Sequence, residues 1–238
     1  MDSQYNAIAI ILANRCYLYI LLRHVFGHEP NREMLKAVTS DHTREAMELI
    51  SDGDEFVPYI ERFAKLRQAV SNDTETVLDR LKSEYTYLLI GPNKLPAPPW
   101  ESVYITKERL ILQESTLQVR RAYLAYQFLP ANYPHEADDH IAIELDFMAR
   151  LSQMSREAYE EDDGEKLGKL LSDQKTFLEE HMLNWVGEFS KQIQSSKTHH
   201  FYPQMAVLTE QVLRIDRDIL EELLSVVENK EERCSVNE

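Results

Sequence analysis

The sequence predicts an all-α fold, on three observations. Glycine is scarce, at six in 238 residues, whereas folds of many short strands need many tight turns. Apolar residues recur over long stretches at the period of a helix with one buried face. The clearest interruption is one loop, GPNKLPAPPWESV at 91–103, where four prolines and a glycine forbid regular structure.

Ser3 is placed to cap a first helix that runs to about Phe26 and stops at Gly27, with Ile8, Ile11, Leu12, Tyr19 and Leu22 at helical spacing. Shorter helices follow at 31–39 and 42–50, then a turn, SDGDE, at 51–55. Pro58 falls early in the next helix, where proline is tolerated, and YIERFAKLRQAV continues it. SND at 71–73 caps a helix over 74–90 that Gly91 and Pro92 end. SVYI at 102–105 has the composition of a short strand but lacks an alternating partner. Helix is expected over 107–128, then a break at LPANYPHE, then helix from about Ala137 to Tyr159. The acidic turn EEDDGE covers 160–165. Helical segments at 166–194 and 204–229 finish the fold, separated by SSKTHHFYP, and 231–238 read as a disordered tail. The sum is a single helical bundle domain over 1–230, with a proline-rich hinge at about 91–103 between its N- and C-terminal helical parts.

The formal net charge of −15 disfavours nucleic acid and anionic membranes and favours cationic partners such as basic peptides; it also serves plain solubility. Cys16 and Cys234 form neither a metal-ligand pattern nor a disulfide framework, which fits a reducing cytoplasm. The stretch AIAIILANRCYLYILLRHVF carries Asn14, Arg15, Arg23 and His24, too polar for a spanning helix, and lacks a cleavage site, so no stable membrane insertion is expected. There is no phosphate-binding glycine loop and no basic-plus-aromatic pattern, so neither a nucleotide cofactor nor nucleic acid is implied.

The stretch NYPHEADDHIAIELDFMARL at 132–151 is the first candidate site. In a helix, His140 and Glu144 share a face. Three readings stand side by side. Metal ligation by His140, Glu144 and Asp138 or Asp139 lacks a Glu-x-x-His companion, although His199 and His200 lie in a loop. Acid–base chemistry by Asp139, His140 and Glu144 lacks a nucleophile motif. A helix N-terminus capped by Asp138 and Asp139, with Ile141, Leu145 and Met148 buried, needs nothing more. The second candidate is Trp100 in KLPAPPWESVY, either the wall of an apolar peptide pocket or a plug between subdomains. Tyr85, Leu88 and Leu89 in SEYTYLLIG, and Phe177, Met182, Trp185 and Phe189 in FLEEHMLNWVGEF, fall at core spacing.

Read in order from about 83 to 190, the segments EYTYLLIGP, PPWESVY, TLQVRRAY, DDHIAIELDFMARL and FLEEHMLNWVGEF resemble the TorD/DmsD family of redox-enzyme maturation chaperones. Nitrate-reductase assembly chaperones belong to the same superfamily. The resemblance implies an all-helical cytoplasmic chaperone rather than an enzyme, with no metal or cofactor. It implies binding of the twin-arginine signal peptide, and of the precursor, of a molybdopterin oxidoreductase catalytic subunit until its cofactor is inserted. Carried over by position, the family's groove maps to Tyr85, Leu88, Leu89, Trp100, Tyr104, Asp138, Asp139, His140 and Glu144. Many members have Leu-Phe where this chain has Leu88-Leu89, and proline where it has Ala137, and Asp138 is an added acid. Guanidinium pairs bidentately with carboxylate, and Leu88, Leu89 and Trp100 offer an apolar lining, so such a groove suits a twin-arginine peptide. A monomer or a homodimer is expected, and the hinge would permit domain swapping. The competing class is a metal-dependent or acid–base enzyme built on Asp139, His140 and Glu144.

Overall fold

The computed structural model describes residues 2–51, 53–91, 94–106, 110–131, 133–198 and 201–235, with side chains between 7 and 229. His199, His200 and the end of the expected tail, 236–238, lie outside the described residues. Eleven α-helices are described: α1 Asp2–Gly27, α2 Arg32–Val38, α3 Asp41–Leu49, α4 Val57–Asn72, α5 Thr74–Tyr85, α6 Ser102–Ile105, α7 Glu114–Ala125, α8 Ile141–Glu160, α9 Gly164–Phe177, α10 Leu183–Gln194 and α11 Tyr202–Ser235. Two π-helical turns, Thr86–Ile90 and Leu178–Met182, extend α5 and join α9 to α10.

The caps show why the chain breaks where it does. Asn31, Ser40, Asp73 and Asp163 each accept a hydrogen bond from the amide three residues on, at 2.8 to 3.1 Å, satisfying a donor that the first turn leaves open. Pro58 sits in the first turn of α4, where no amide is needed. α1 packs chiefly along α8, and α9, α10 and α11 close over the pair. Leu12, Tyr19, Leu22, Val25 and Phe26 on α1 meet Ile141, Leu145, Met148 and Leu151 on α8 in one core. By length and composition Ala7–Gly27 is apolar enough to cross a membrane, with mean hydropathy 1.4, but 44% of that span is buried inside the fold.

The structure departs from expectation in several places, among them residues 231–235, expected in the disordered tail, which continue α11. The helix expected over 107–128 is only α7; Leu112 has φ 61°, a left-handed conformation that a continuing helix does not adopt. SVYI is a one-turn helix, α6, because Asp139 receives its leading amide instead of a strand partner. The helix expected from about Ala137 starts at Ile141, since His140 is its cap.

Candidate peptide-binding site

The hinge and the start of α8 are stitched together backbone to backbone. Glu101 N–H donates to the Asp139 carbonyl at 3.0 Å, and Ile141 N–H donates to the Pro99 carbonyl at 2.9 Å. Trp100 and His140 thus form a bridge pair, their rings edge to face at 5.7 Å. This is how the proline-rich loop, which cannot join regular structure itself, is fixed to the bundle.

The acids of the 132–151 stretch serve this joint, and the reading of Asp138 and Asp139 as caps of α8 gives way. Asp139 is fully buried, and its Oδ2 accepts from Ser102 N–H at 2.8 Å, capping α6. Asp138 is buried and pairs with Arg120 of α7 at 2.5 Å, while its carbonyl accepts from Tyr123 Oη at 2.9 Å. Arg120 also lies 4.4 Å over the Tyr133 ring. His140 Nδ1 accepts from Ala142 N–H at 3.1 Å. Burial lowers the His140 pKa, and Glu136 and Asp139 only partly oppose it. That nitrogen cannot accept when protonated, so the cap requires a neutral ring.

Beneath the joint lies a fully buried carboxyl, Glu144, whose Oε2 accepts from Trp185 Nε1 at 3.2 Å. Glu101, also buried, faces His181 Nδ1 at 3.2 Å from both its oxygens. The π-helical turn at Leu178–Met182 presents His181 inward, a placement ordinary helical spacing does not foretell. Burial first, then Glu101 and Asp139, hold Glu144 well above the usual carboxylate range. The folded state therefore keeps a proton that the unfolded chain gives up. That stabilisation is complete below the unfolded pKa and is lost as pH rises through the raised folded one. Stability is expected to decline from about pH 5 upward as this group titrates. Glu144→Gln keeps the shape and the acceptor for Trp185, and should flatten the decline in urea midpoints measured across that range. Identical slopes in variant and wild type would show that Glu144 is not the group.

Of the other sequence candidates, Tyr104 is half-buried and stacks on Trp185 at 5.4 Å. Tyr85, Leu88 and Leu89 are buried, with Tyr85 against Tyr202 at 5.6 Å and hydrogen-bonded to the Phe26 carbonyl. Trp100 is half-buried, and its Nε1 donates to Glu136 at 2.8 Å. Its ring faces a groove of about 620 Å³ shared with Leu95, Pro96, Pro98, Leu110 and Ile111. Ile105, Leu110, Ile111 and Leu112 are all exposed nearby in sequence. Glu101, Arg120, Glu136 and His181 were not foreseen as parts of the joint. Only Glu101, next to Trp100, had a positional hint.

Among the described residues no cluster of three His, Cys, Asp or Glu side chains is placed to hold a metal ion. Asp139 and His140 instead hold backbone amides, and Asp138 and Glu144 hold the side chains of Arg120 and Trp185, beside an open apolar groove. This defines an all-α binding protein with a pinned hinge. Residues 57–191 match the family described as nitrate reductase delta subunit. The chain belongs to this family, and with it to the redox-enzyme maturation chaperones that its motifs resemble. A Haemophilus influenzae protein named "Probable Tat proofreading chaperone DmsD" is 34% identical over 56% of this chain and 59% of its own length. The match thus spans less than two thirds of that relative. Proteins named "Chaperone protein TorD" from Aliivibrio salmonicida and Aliivibrio fischeri are each 25% identical, over 85% and 89% of this chain and 92% and 96% of their own. These relatives are named as chaperones, not enzymes, and the acid–base reading of Asp139, His140 and Glu144 gives way.

Proposed function

We propose that the protein is a cytoplasmic chaperone that binds the twin-arginine signal peptide of a molybdopterin-containing oxidoreductase and holds the precursor for cofactor insertion. The observation that carries this is the apolar groove at the Trp100 hinge, set over a joint rich in carboxylates, in a chain of this family. The apolar run of the peptide lies against Trp100, Leu110 and Ile111, with Tyr104 and His140 at the joint beside it. Asp138 and Asp139 set the negative field beneath, over the protonated Glu144, and Asp138 Oδ1 and Asp139 Oδ1 are buried without hydrogen-bond partners. Tyr85, Leu88 and Leu89 are buried in the core.

The test is titration with a peptide of two arginines followed by an apolar run. Binding should weaken as salt rises, chiefly through a slower on-rate, because the net charge of −15 attracts at distance. A peptide with both arginines changed to glutamine should bind more weakly. Absence of binding at low salt, or co-purification from the native cell without any such oxidoreductase, would overturn the proposal.

A further inference from the structure

Away from the hinge, a pocket of about 300 Å³ opens between α4, α5 and the start of α11. Its apolar lining includes Phe63 and Phe201, both nearly buried, and Gln204 offers an amide. Three cations stand around it: Arg62 and Lys65, one helical turn apart on α4, and Arg80 on α5. Among the described residues none of the three has an ion-pair partner, although acids outnumber bases in the chain by 41 to 26. The other arginines of α2 to α5 do find partners: Arg32 pairs with Glu75, Arg44 with Glu48 and Arg67 with Asp41. Among the described residues no acidic side chain lines this pocket.

Unpaired cations around an apolar floor select an anion with an apolar body. A carboxylate offers one charge to such a rim, whereas a phosphate offers up to two charges and several acceptor oxygens, which suits two guanidinium groups and an ammonium around one pocket. The volume is at the small end of ligand sites, enough for a compact ring and its phosphate and too small for a folded segment. We infer that this pocket binds a small organic phosphate, its ring against Phe63 and Phe201 and its phosphate between Arg62, Lys65 and Arg80. The site is separate from the peptide groove, and the inference does not depend on the proposed function.

The probe is 1-naphthyl phosphate, followed by its own fluorescence, with inorganic phosphate and 1-naphthol as half-ligands and a short acidic peptide as competitor. The full probe should bind more tightly than either half. Arg62→Glu and Arg80→Glu should each weaken it by about tenfold or more, the loss expected for a charge-assisted contact turned repulsive. Lys191→Glu, the same charge change on α10 at a lysine without an ion pair, should leave it unchanged. All three side chains are exposed, so the variants should fold, and thermal melting checks that they do. Equal weakening by all three variants would show a general charge effect and overturn the site. So would probe binding no tighter than that of 1-naphthol, or tighter binding of the acidic peptide at the same residues.

Discussion

Asp216→Ala is expected to destabilise the fold by about 3–5 kcal/mol, the range for stripping one partner from a buried ion pair. Arg15 of α1 and Asp216 of α11 are 1% and 3% exposed. Arg15 Nε and Nη2 donate to the two oxygens of Asp216 at 2.5 and 3.0 Å, and Tyr19 Oη donates to Oδ2 at 2.6 Å. Gln174 of α9 accepts from Arg15 at 2.9 Å and from Ser152 of α8 at 3.1 Å, and donates to Ser155 at 2.8 Å. Desolvation opposes the Arg15 charge, yet Asp216 outweighs it and holds the guanidinium pKa above its usual value. With Asp216 gone, that charge is left in the core with Gln174 alone. Urea denaturation reads the loss. The double variant Arg15→Met with Asp216→Leu should recover most of it, since an apolar pair of similar volume costs little. A single-variant loss below about 1 kcal/mol, the scale of a surface pair, would show that water reaches the site.

This network also marks where the sequence stops being readable. Arg15 stands in an apolar run and looks there like a polar interruption that argues against membrane insertion. Its partner lies 201 positions away, and no local spacing announces it. Helix ends were legible where a side chain caps its own turn, as at Asp73, because the cause is local. They were misread where the cap comes from elsewhere: α6 begins where Asp139, 37 residues on, receives Ser102 N–H. The same nonlocality explains the site. Residues 138–144 stand out in the sequence as a cluster, but their bonds run to α6, α7 and α10, which only the packing reveals. The π-helical turns at 86–90 and 178–182 were invisible because their sequences keep ordinary helical periodicity.

Trp100→Ala is expected to reduce affinity for the twin-arginine peptide by about 2 kcal/mol or more, the loss typical of an aromatic anchor. It should barely move the melting temperature. The indole is half-buried, with one hydrogen bond to Glu136, and borders the groove, whereas Trp185 is fully buried against Tyr104, Phe189 and Glu144. The bonds that pin the hinge are made by the backbone of Pro99, Glu101, Asp139 and Ile141, and alanine at 100 leaves them in place. Asp139→Ala makes the contrast. Its carboxylate holds a buried amide, so its removal should cost about 1–3 kcal/mol of folding stability before any effect on the peptide is counted. Peptide titration and thermal melting of both variants separate anchor from joint. Trp100→Ala should lose binding and keep stability; Asp139→Ala should lose stability first. A Trp100→Ala protein that melts early and binds normally would make Trp100 part of the core, and the peptide would then have to lie elsewhere.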